Sequence, residues 1–258
     1  MNIVLCVDIG NSHTVMGIYE ESRIVEHWRI TTPRIATSDE IYLRAQALIQ
    51  ASSVSPAKIT HIGIASVVPS LERVWVKALN KFLAPQVEVL SEQNCLGLPI
   101  DYETPSAVGS DRLANAIALK HEGYETAIAL DLGTATTFDI LENGRFRGGV
   151  ILPGISSSLE VLTEKAIRLP EISIEWPENF IAQNTEDAIR SGILFGFLGQ
   201  LEYVLNGIQK ELGTEKVPVV ATGGWATMLG ERTPALNHFD PFLTIKGIQL
   251  VALQGEKP

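Results

Sequence analysis

The 258-residue sequence predicts an α/β protein whose two halves repeat the same order of strands and helices. Residues 3–12 and 126–135 are both apolar runs that end in Asp-x-Gly and a small polar residue. Each run continues into a second β-rich segment, a turn and a third segment, as in an antiparallel meander. Similarity at half the chain length indicates an internal duplication. We therefore expect two lobes of the pattern βββ-α-β-α, formed by residues 1–115 and 116–258.

The turns within the two halves support the duplication. Asn143-Gly144 predicts a hairpin because both residues tolerate positive φ. Glu20-Glu21-Ser22 occupies the matching place in the first half. Further along, Ile62–Ser66 and Val217–Ala221 are short apolar strands that end in small residues before a helix. Turns of this kind let backbone N–H groups approach a ligand.

Hydrophobic periodicity predicts four longer helices. They run from the capping box Thr37-Ser-Asp-Glu40 to about Ile49, over Leu71–Phe82, from Asp111 to Leu119, and from Thr185 to near Gly213. Gly192, Gly196 and Gly199 lie on one face of the last helix. Two interpretations stay open for this face: close approach of another helix, or relief of a crowded core.

Composition excludes several classes of protein. The formal net charge is −10, with 30 acidic and 20 basic residues and no Lys/Arg-rich run, which argues against a nucleic-acid partner. No stretch approaches the ~20 apolar residues of a membrane span, and the N-terminal apolar run breaks at Asp8, unlike a signal peptide. Two cysteines outside any C-x-x-C pair and five scattered histidines predict neither a disulfide framework nor a zinc site. We expect a cytoplasmic protein without a membrane partner.

The repeated Asp-x-Gly hairpin suggests a phosphate site of an unusual kind. Neither G-x-x-x-x-G-K-[ST] nor G-x-G-x-x-G occurs in the chain. In the hairpin, glycine lets backbone donors approach phosphate oxygens, and the hydroxyls of Ser12 and Thr134 can donate as well. The carboxylates of Asp8 and Asp131 would instead hold a cation that also contacts the phosphates. Two such hairpins facing one cleft would grip a polyphosphate from both sides.

These motifs resemble the superfamily of actin, the heat-shock ATPases and the acetate and sugar kinases. Within it, the sequence resembles the type III pantothenate kinases over nearly its whole length. The motifs come in the family's order: Asp8-Ile-Gly-Asn-Ser12, Tyr102 with Pro105, Gly109-Ser-Asp-Arg112, Asp131-Leu-Gly-Thr134, Gly148-Gly-Val-Ile-Leu-Pro-Gly154, Asn184-Thr185 and Thr222-Gly-Gly224. Ser12 stands where threonine is common and Ser110 where alanine is common, and neither removes a needed group.

The resemblance implies ribonuclease-H-like lobes with a nucleotide cleft between them, and ATP-dependent phosphorylation of pantothenate. It also implies Mg²⁺ with ATP, a monovalent cation (K⁺ or NH4⁺) and a homodimer that helps to shape the pantothenate pocket. The ATP-binding residues so implied are Asp8, Ile9, Gly10, Asn11, Ser12, His13, Thr14, Val15, Gly133, Thr134, Thr222, Gly223 and Gly224. The substrate-binding residues are Tyr102, Gly109, Ser110, Asp111, Arg112 and Thr185. Asp131 is assigned to the monovalent cation and Asp8 to a contact with Mg-ATP.

Individual roles follow from the resemblance, each beside a plainer alternative. Asp111 is implied as the general base that accepts the proton of the pantothenate hydroxyl, or it only caps the helix that follows. Arg112 donates to an anionic substrate group, or it is an ordinary surface arginine. His13 contacts a phosphate, or it occupies a variable hairpin position. Asp139, at the end of the second strand of its motif, receives no role.

Three other functions stay open at this point. One is a kinase of the same superfamily that acts on another small molecule, such as a sugar; the segment Gly109–Arg112 argues against it through resemblance alone. Another is a regulator without enzymatic activity, which the acidic charge, Asp111 and the paired hairpins disfavour. The third is an actin-like filament protein, for which the chain is short.

Overall fold

The computed structural model describes residues 2–165, 172–214, 216–236 and 238–255 of the chain. Its strands form two five-stranded sheets with helices between the strands, which confirms the predicted α/β class. Within these ranges, no helix combines the length and the apolar character needed to cross a membrane. The cytoplasmic location stays a prediction.

The first sheet begins with the meander predicted from the repeated motif. It contains β1 (Ile3–Ile9), β2 (His13–Glu20), β3 (Arg23–Thr31), β4 (His61–Ser66) and β5 (Val87–Val89), in the order β3-β2-β1-β4-β5. β1 pairs antiparallel with β2 and parallel with β4. One face is covered by α1 (Ser38–Ala51) and α2 (Pro69–Leu79), whose apolar residues form a core with alternate residues of β1. The predicted capping box of Thr37 and Glu40 is present at the start of α1.

The second sheet has the same strand order as the first. It contains β6 (Ala127–Leu132), β7 (Ala135–Glu142), β8 (Arg145–Pro153), β9 (Val219–Thr222) and β10 (His238–Phe239), in the order β10-β9-β6-β7-β8. In both sheets the third, second, first, fourth and fifth strands are neighbours in that order, which confirms the predicted duplication. Asn143 and Gly144 turn the β7–β8 hairpin with φ of 50° and 67°. The remaining helices are α3 (Ser110–His121), α4 (Ile155–Lys165), α5 (Thr185–Glu211), α6 (Ala226–Gly230) and α7 (Leu243–Ala252).

Small residues on the other face of the first sheet let α7 pack closely. Cys6 is in register with Gly17 on β2 and with Gly63 on β4, so the three lie side by side. A Cβ added to Gly63 would lie 2.8 Å from Cγ2 of Ile248 on α7. At the next layer, a Cβ on Gly247 would lie 2.0 Å from the carbonyl oxygen of Ala114, so α7 and α3 touch through their backbones. The buried thiol of Cys6 is part of this packing, and burial raises its pKa well above the ordinary value.

The chain divides into two compact units. Unit 1 comprises residues 1–125, 139–148 and 242–258, and unit 2 comprises residues 126–138 and 149–241. Unit 1 therefore includes the C-terminal helix α7 and the paired ends of β7 and β8. The predicted boundary at residues 115 and 116 falls within α3, and the assignment of two lobes by residue range stays a prediction.

The glycine face of α5 has no neighbour among the described residues of the chain. Gly192, Gly196 and Gly199 are exposed, and a Cβ added to any of them would meet nothing within 4 Å. Neither a closely packed helix nor a crowded core therefore lies against them among the described residues. The reason is that α5 buries its opposite side, through residues such as Leu194 and Leu201.

Candidate active site

The β1–β2 hairpin carries the first predicted phosphate motif. The N–H of Gly10 donates to the carbonyl oxygen of His13 at 3.1 Å, and a Cβ on Gly10 would lie 2.8 Å from that oxygen. Glycine is therefore required for this tight turn. Asp8 and Ser12 are partly exposed, while Asn11 and His13 are exposed. The polar side of the motif is thus at least partly exposed, on a backbone that the turn holds.

Other residues of the same motif support the hairpin from within. Ile9 and Thr14 are fully buried, and the hydroxyl of Thr14 is 2.8 Å from that of Thr32 on the segment after β3. Val15 is partly buried on β2. Nη2 of Arg29 lies 3.1 Å from Nδ1 of His13, and desolvation together with the charge of Arg29 lowers the pKa of that histidine. A neutral imidazole offers a phosphate a hydrogen bond but no charge.

The β6–β7 hairpin of unit 2 carries the second motif on a shorter turn. The N–H of Gly133 donates to the carbonyl oxygen of Ala135, two residues later, at 3.1 Å, whereas the acceptor in the first hairpin lies three residues after its glycine. The carbonyl oxygen of Thr134 accepts from the N–H of Gly154 at 3.0 Å and from Oγ of Ser157 at 2.8 Å. A Cβ on Gly154 would lie 2.3 Å from the carbonyl oxygen of Gly133, so glycine is needed at that position. The glycine-proline segment therefore braces the second hairpin from behind.

The predicted adenosine turn lies against the second hairpin. Thr222 at the end of β9 is in register with Asp131 at the end of β6. Gly223 follows with φ of +88°, and a Cβ there would lie 2.6 Å from Oδ1 of Asp131. Gly224 is exposed beside it, while Thr222 is buried. Two motifs that are 91 positions apart by residue number, 131 and 222, are thus neighbours in unit 2.

The segment Gly109–Arg112 forms the start of α3, in unit 1. Gly109 is the N-cap of α3. Because it has no side chain, it leaves room for the carboxylate of Asp111; a Cβ on Gly109 would lie 2.5 Å from Oδ1 of Asp111. That oxygen accepts the backbone N–H of Arg112 at 2.8 Å. The hydroxyl of Ser110 donates to the carbonyl oxygen of Ser66 at 3.0 Å and accepts its N–H at 2.7 Å. These bonds fix the first turn of α3 to the end of β4.

Asp111 therefore does not occupy the N-cap position that the alternative interpretation gave it. It is the second residue of α3, and it satisfies a first-turn N–H rather than closing the helix end. Burial raises the pKa of Asp111, and the opposing effect of Arg112, through its N–H and its charge, is smaller. A carboxylate with a raised pKa accepts a proton more readily than an ordinary aspartate does.

Arg112 is buried rather than an ordinary surface arginine, with 7% of its surface exposed. Its Nε donates to Oδ1 of Asp139 at 2.5 Å, and its guanidinium carbon lies 5.5 Å above the ring of Phe146. Its Nη2 is buried and has no hydrogen-bond partner among the described residues. Burial lowers the pKa of Arg112, but the charge of Asp139 and the hydroxyl of Tyr102 outweigh it and raise the pKa above its ordinary value. The arginine is therefore a permanent cation with one unused donor group.

Asp139 is the buried ion-pair partner of Arg112, and the sequence analysis gave it no role. It is fully buried, and its second oxygen accepts from Nδ2 of Asn115 at 3.3 Å. The amide oxygen of Asn115 in turn accepts the hydroxyl of Thr244 on α7 at 2.8 Å. Burial raises the pKa of Asp139 to about 6, against the lowering effect of Arg112. One signal was present: a carboxylate between Phe138 and Ile140 in an apolar strand must be paired if it is buried.

The predicted substrate residues fall in both units. In unit 1, Tyr102 is 40% exposed and lies beside Phe146, with ring centroids 6.3 Å apart. Gly148, at φ of +116°, leaves the space for that ring, because a Cβ there would lie 3.4 Å from it. Unit 1 thus brings Tyr102 together with Arg112. Thr185 is exposed as the first residue of α5 in unit 2, where Asn184 caps the helix by accepting the N–H of Asp187 at 2.9 Å.

The residues fit a cation that is shared with phosphates better than a metal site built by protein alone. Within the described ranges, no group of three or more His, Cys, Asp or Glu side chains could hold a metal ion. Asp8 and Asp131 each supply one carboxylate at a strand end, and both are partly exposed. Hard cations that keep phosphate and water ligands need only one or two such carboxylates.

The two sheets with the same strand order define a fold class that solved structures share. An inorganic polyphosphate/ATP-glucomannokinase from an Arthrobacter strain shares this fold, with a TM-score of 0.53 and 15% identity over 98% of this chain and 100% of that one. A Campylobacter jejuni protein assigned to the Baf family of transcriptional activators has a TM-score of 0.60 and 19% identity, over 97% and 98% of the two chains. At these identities the likeness concerns the fold alone.

The sequence comparisons identify the family. A sequence model described as Type III pantothenate kinase matches residues 4–207. The type III pantothenate kinase of Desulfotalea psychrophila is 37% identical, over 96% of this chain and 97% of that protein. The chain belongs to the type III pantothenate kinase family, which confirms the resemblance seen in its motifs.

Proposed function

We propose that this protein transfers the γ-phosphate of ATP to the hydroxyl of pantothenate, giving 4′-phosphopantothenate and ADP in the first step of coenzyme A synthesis. The observation that carries the proposal is the start of α3. There a carboxylate with a raised pKa, Asp111, precedes a buried arginine with an unused donor, Arg112. In a member of this family, a base and an anion-binding group side by side suit an alcohol that also bears a carboxylate.

In this proposal Asp111 accepts the proton of the pantothenate hydroxyl. Phosphoryl transfer passes through a loose transition state, so the base mainly orients the alcohol and takes its proton late. The hydrogen bond to Oδ1 from the N–H of Arg112 and the space left by Gly109 hold the carboxylate in one orientation. The other carboxylate oxygen then remains the natural acceptor for the substrate. Arg112 and Tyr102 bind an anionic group of the substrate, and the hydroxyl of Thr185 helps to orient pantothenate.

The two Asp-x-Gly hairpins bind ATP in this proposal. Backbone N–H groups after Gly10 and Gly133 and the hydroxyls of Ser12 and Thr134 donate to phosphate oxygens. The turn at Gly223 and Gly224 receives the adenosine. Asp8 contacts Mg-ATP, and Asp131 holds a monovalent cation, K⁺ or NH4⁺. The cations neutralise phosphate charge, without which both carboxylates would repel the nucleotide.

A homodimer is part of the proposal, supported by the exposed side of α5. Gly192, Gly196 and Gly199 leave this side flat, and Tyr203 next to it is 82% exposed. A flat stripe of small residues beside a large aromatic side chain suits close contact between helices of two copies. Light scattering at micromolar concentration should show a dimer, and Gly196→Glu should shift it toward monomer. A wild-type protein that is only monomeric would contradict this part of the proposal.

The reaction itself is tested by ADP release from the purified protein. Pantothenate should stimulate release strongly in the presence of Mg²⁺ and K⁺, and a panel of sugars should not. Formation of 4′-phosphopantothenate in equal amount to ADP, measured by mass spectrometry, confirms the acceptor. Turnover with a sugar but not with pantothenate would reject the proposed acceptor and favour another kinase activity of the same superfamily.

A further inference from the structure

A buried polar chain lies at the start of α3 in unit 1, and three of its four residues have no role in the reaction described so far. It runs from Arg112 through Asp139 and Asn115 to Thr244 on α7. All four residues are buried, at 7%, 0%, 0% and 8% exposure. The chain therefore connects a proposed substrate-binding arginine with three buried residues that the proposed function leaves without a role.

We propose that Asp139, held in place by Asn115 and Thr244, is a positioning residue that fixes the guanidinium of Arg112 for the carboxylate of the acceptor substrate. This inference rests on the proposed function, since it assigns Arg112 to the anionic end of pantothenate. Asp139 itself contacts neither substrate, and it acts only through the arginine.

The geometry fixes the guanidinium in two directions. Asp139 holds one edge through the Nε bond of 2.5 Å, and the ring of Phe146 covers one face at 5.5 Å. Both oxygens of Asp139 have donors, Nε of Arg112 and Nδ2 of Asn115, so the carboxylate cannot rotate without breaking a bond. A guanidinium with one edge and one face fixed presents its remaining N–H groups in a single direction.

The unused donor indicates what the arrangement is for. A fork-to-fork pair between arginine and a carboxylate usually engages two N–H groups of the arginine. Here Nη2 is left buried without a partner among the described residues. A buried donor of a charged group is costly when it is unpaired, and an incoming anion would remove that cost. Tyr102, which is 40% exposed, lies in the same part of unit 1, beside the ring of Phe146.

A purely structural ion pair is the competing explanation. Buried ion pairs contribute little stability compared with apolar residues of the same size, so stability alone is a weak reason for one here. The two explanations differ in what a change at Asp139 does. A structural pair affects melting temperature, whereas a positioning residue affects the KM for pantothenate and leaves the KM for ATP alone.

The experiment is steady-state kinetics of Asp139→Asn, with each substrate varied at saturating concentration of the other. The KM for pantothenate should rise about tenfold or more, the size expected when a charge-assisted hydrogen bond is misdirected, while the KM for ATP changes less than about twofold. Glu142→Gln is the matched control, because Glu142 lies on β7 like Asp139 and forms an ion pair with Arg147 at the protein surface. It should leave both KM values unchanged.

A double variant separates action through Arg112 from an independent effect. In an Arg112→Gln background, adding Asp139→Asn should change the KM for pantothenate by less than about twofold, because the group it positions is gone. If the two substitutions instead raised the KM for pantothenate by the product of their separate factors, the proposal would be overturned. A lower melting temperature of Asp139→Asn with an unchanged KM for pantothenate, which is the structural outcome, would overturn it too.

Two further outcomes are decisive. If Asp139→Asn does not fold, Thr244→Val replaces it, since this variant keeps the shape and removes only the bond to Asn115. It should raise the KM for pantothenate at least about twofold, and an unchanged KM would overturn the proposal.

Turnover by the wild-type protein distinguishes a failure of the proposed function from a failure of the positioning role alone. Without pantothenate-dependent ADP release the proposed function fails, and with it this inference; with such release, an unaffected Asp139→Asn rejects the positioning role alone.

Discussion

Asp111→Asn tests the proposed base with the least disturbance to the fold. Asparagine keeps the size of the side chain, and its carbonyl oxygen can accept the N–H of Arg112 that now donates to Oδ1 at 2.8 Å. Burial disfavours the ionised carboxylate, so the neutral amide should leave the melting temperature at pH 7 unchanged or raise it. What is lost is the group that orients the hydroxyl and accepts its proton. General-base catalysis contributes about 10²–10⁴-fold, or about 3–5.5 kcal/mol of barrier.

The assay is kcat for pantothenate phosphorylation, with ATP affinity by calorimetry and folding by thermal melting. We expect kcat to fall by the full general-base factor while ATP affinity stays within a few-fold. Asp39→Asn is a matched control, because Asp39 is likewise the second residue of its helix, α1, and is exposed. It should retain full activity. A folded Asp111→Asn that keeps more than about a tenth of the wild-type kcat would show that Asp111 is not the base.

Three more predictions concern the phosphate and proton sites. Gly223→Ala should cost about 1–3 kcal/mol of stability and raise the KM for ATP, because its Cβ would lie 2.6 Å from Oδ1 of Asp131 at φ of +88°. Gly213→Ala, at φ of +71° with nothing within 4 Å, should cost only roughly 1 kcal/mol and spare ATP; equal effects in both variants would contradict the role of close approach. Turnover should be low in sodium or choline and recover in potassium or ammonium, and equal rates in all four salts would exclude Asp131 as a site for K⁺ or NH4⁺. Because the ionised base is the active form, kcat/KM should fall on acidification through the raised pKa of Asp111, and a limb at or below 3.8 would contradict the burial of that carboxyl.

The duplication could be predicted from sequence because its signals are local. Both halves show Asp-x-Gly directly after an apolar strand, and at Gly10 a Cβ would lie 2.8 Å from the carbonyl oxygen of His13. The structure confirms the inference in the identical strand order of the two sheets. The helix starts at Thr37 and Asn184 were equally visible, because caps are determined within four residues.

Pairings between distant segments could not be predicted in the same way. Asp139 and Arg112 lie on different elements, and nothing within either segment names the other as its partner. The placement of α7 in unit 1 depends on the space left by Gly63 and Gly247, which from sequence are ordinary glycines. Gly109 is a similar case: its value lies in the room it gives the carboxylate two residues later, which no turn rule predicts.

Arg112 interacts electrostatically with two carboxyls of unit 1, the partly buried Asp111 and the fully buried Asp139. Its charge lowers the pKa of Asp111 and that of Asp139, while burial raises both and the charge of Asp111 raises the pKa of Asp139 further. Without the arginine, burial and the repulsion between the two carboxylates would raise the pKa of both further, and Asp111 would more often be protonated and unable to act as a base. The permanent guanidinium therefore does more than bind an anion. By stabilising both ionised carboxylates, it keeps the proposed base ready to accept a proton, and this dual role explains why a buried arginine rather than a neutral donor follows Asp111.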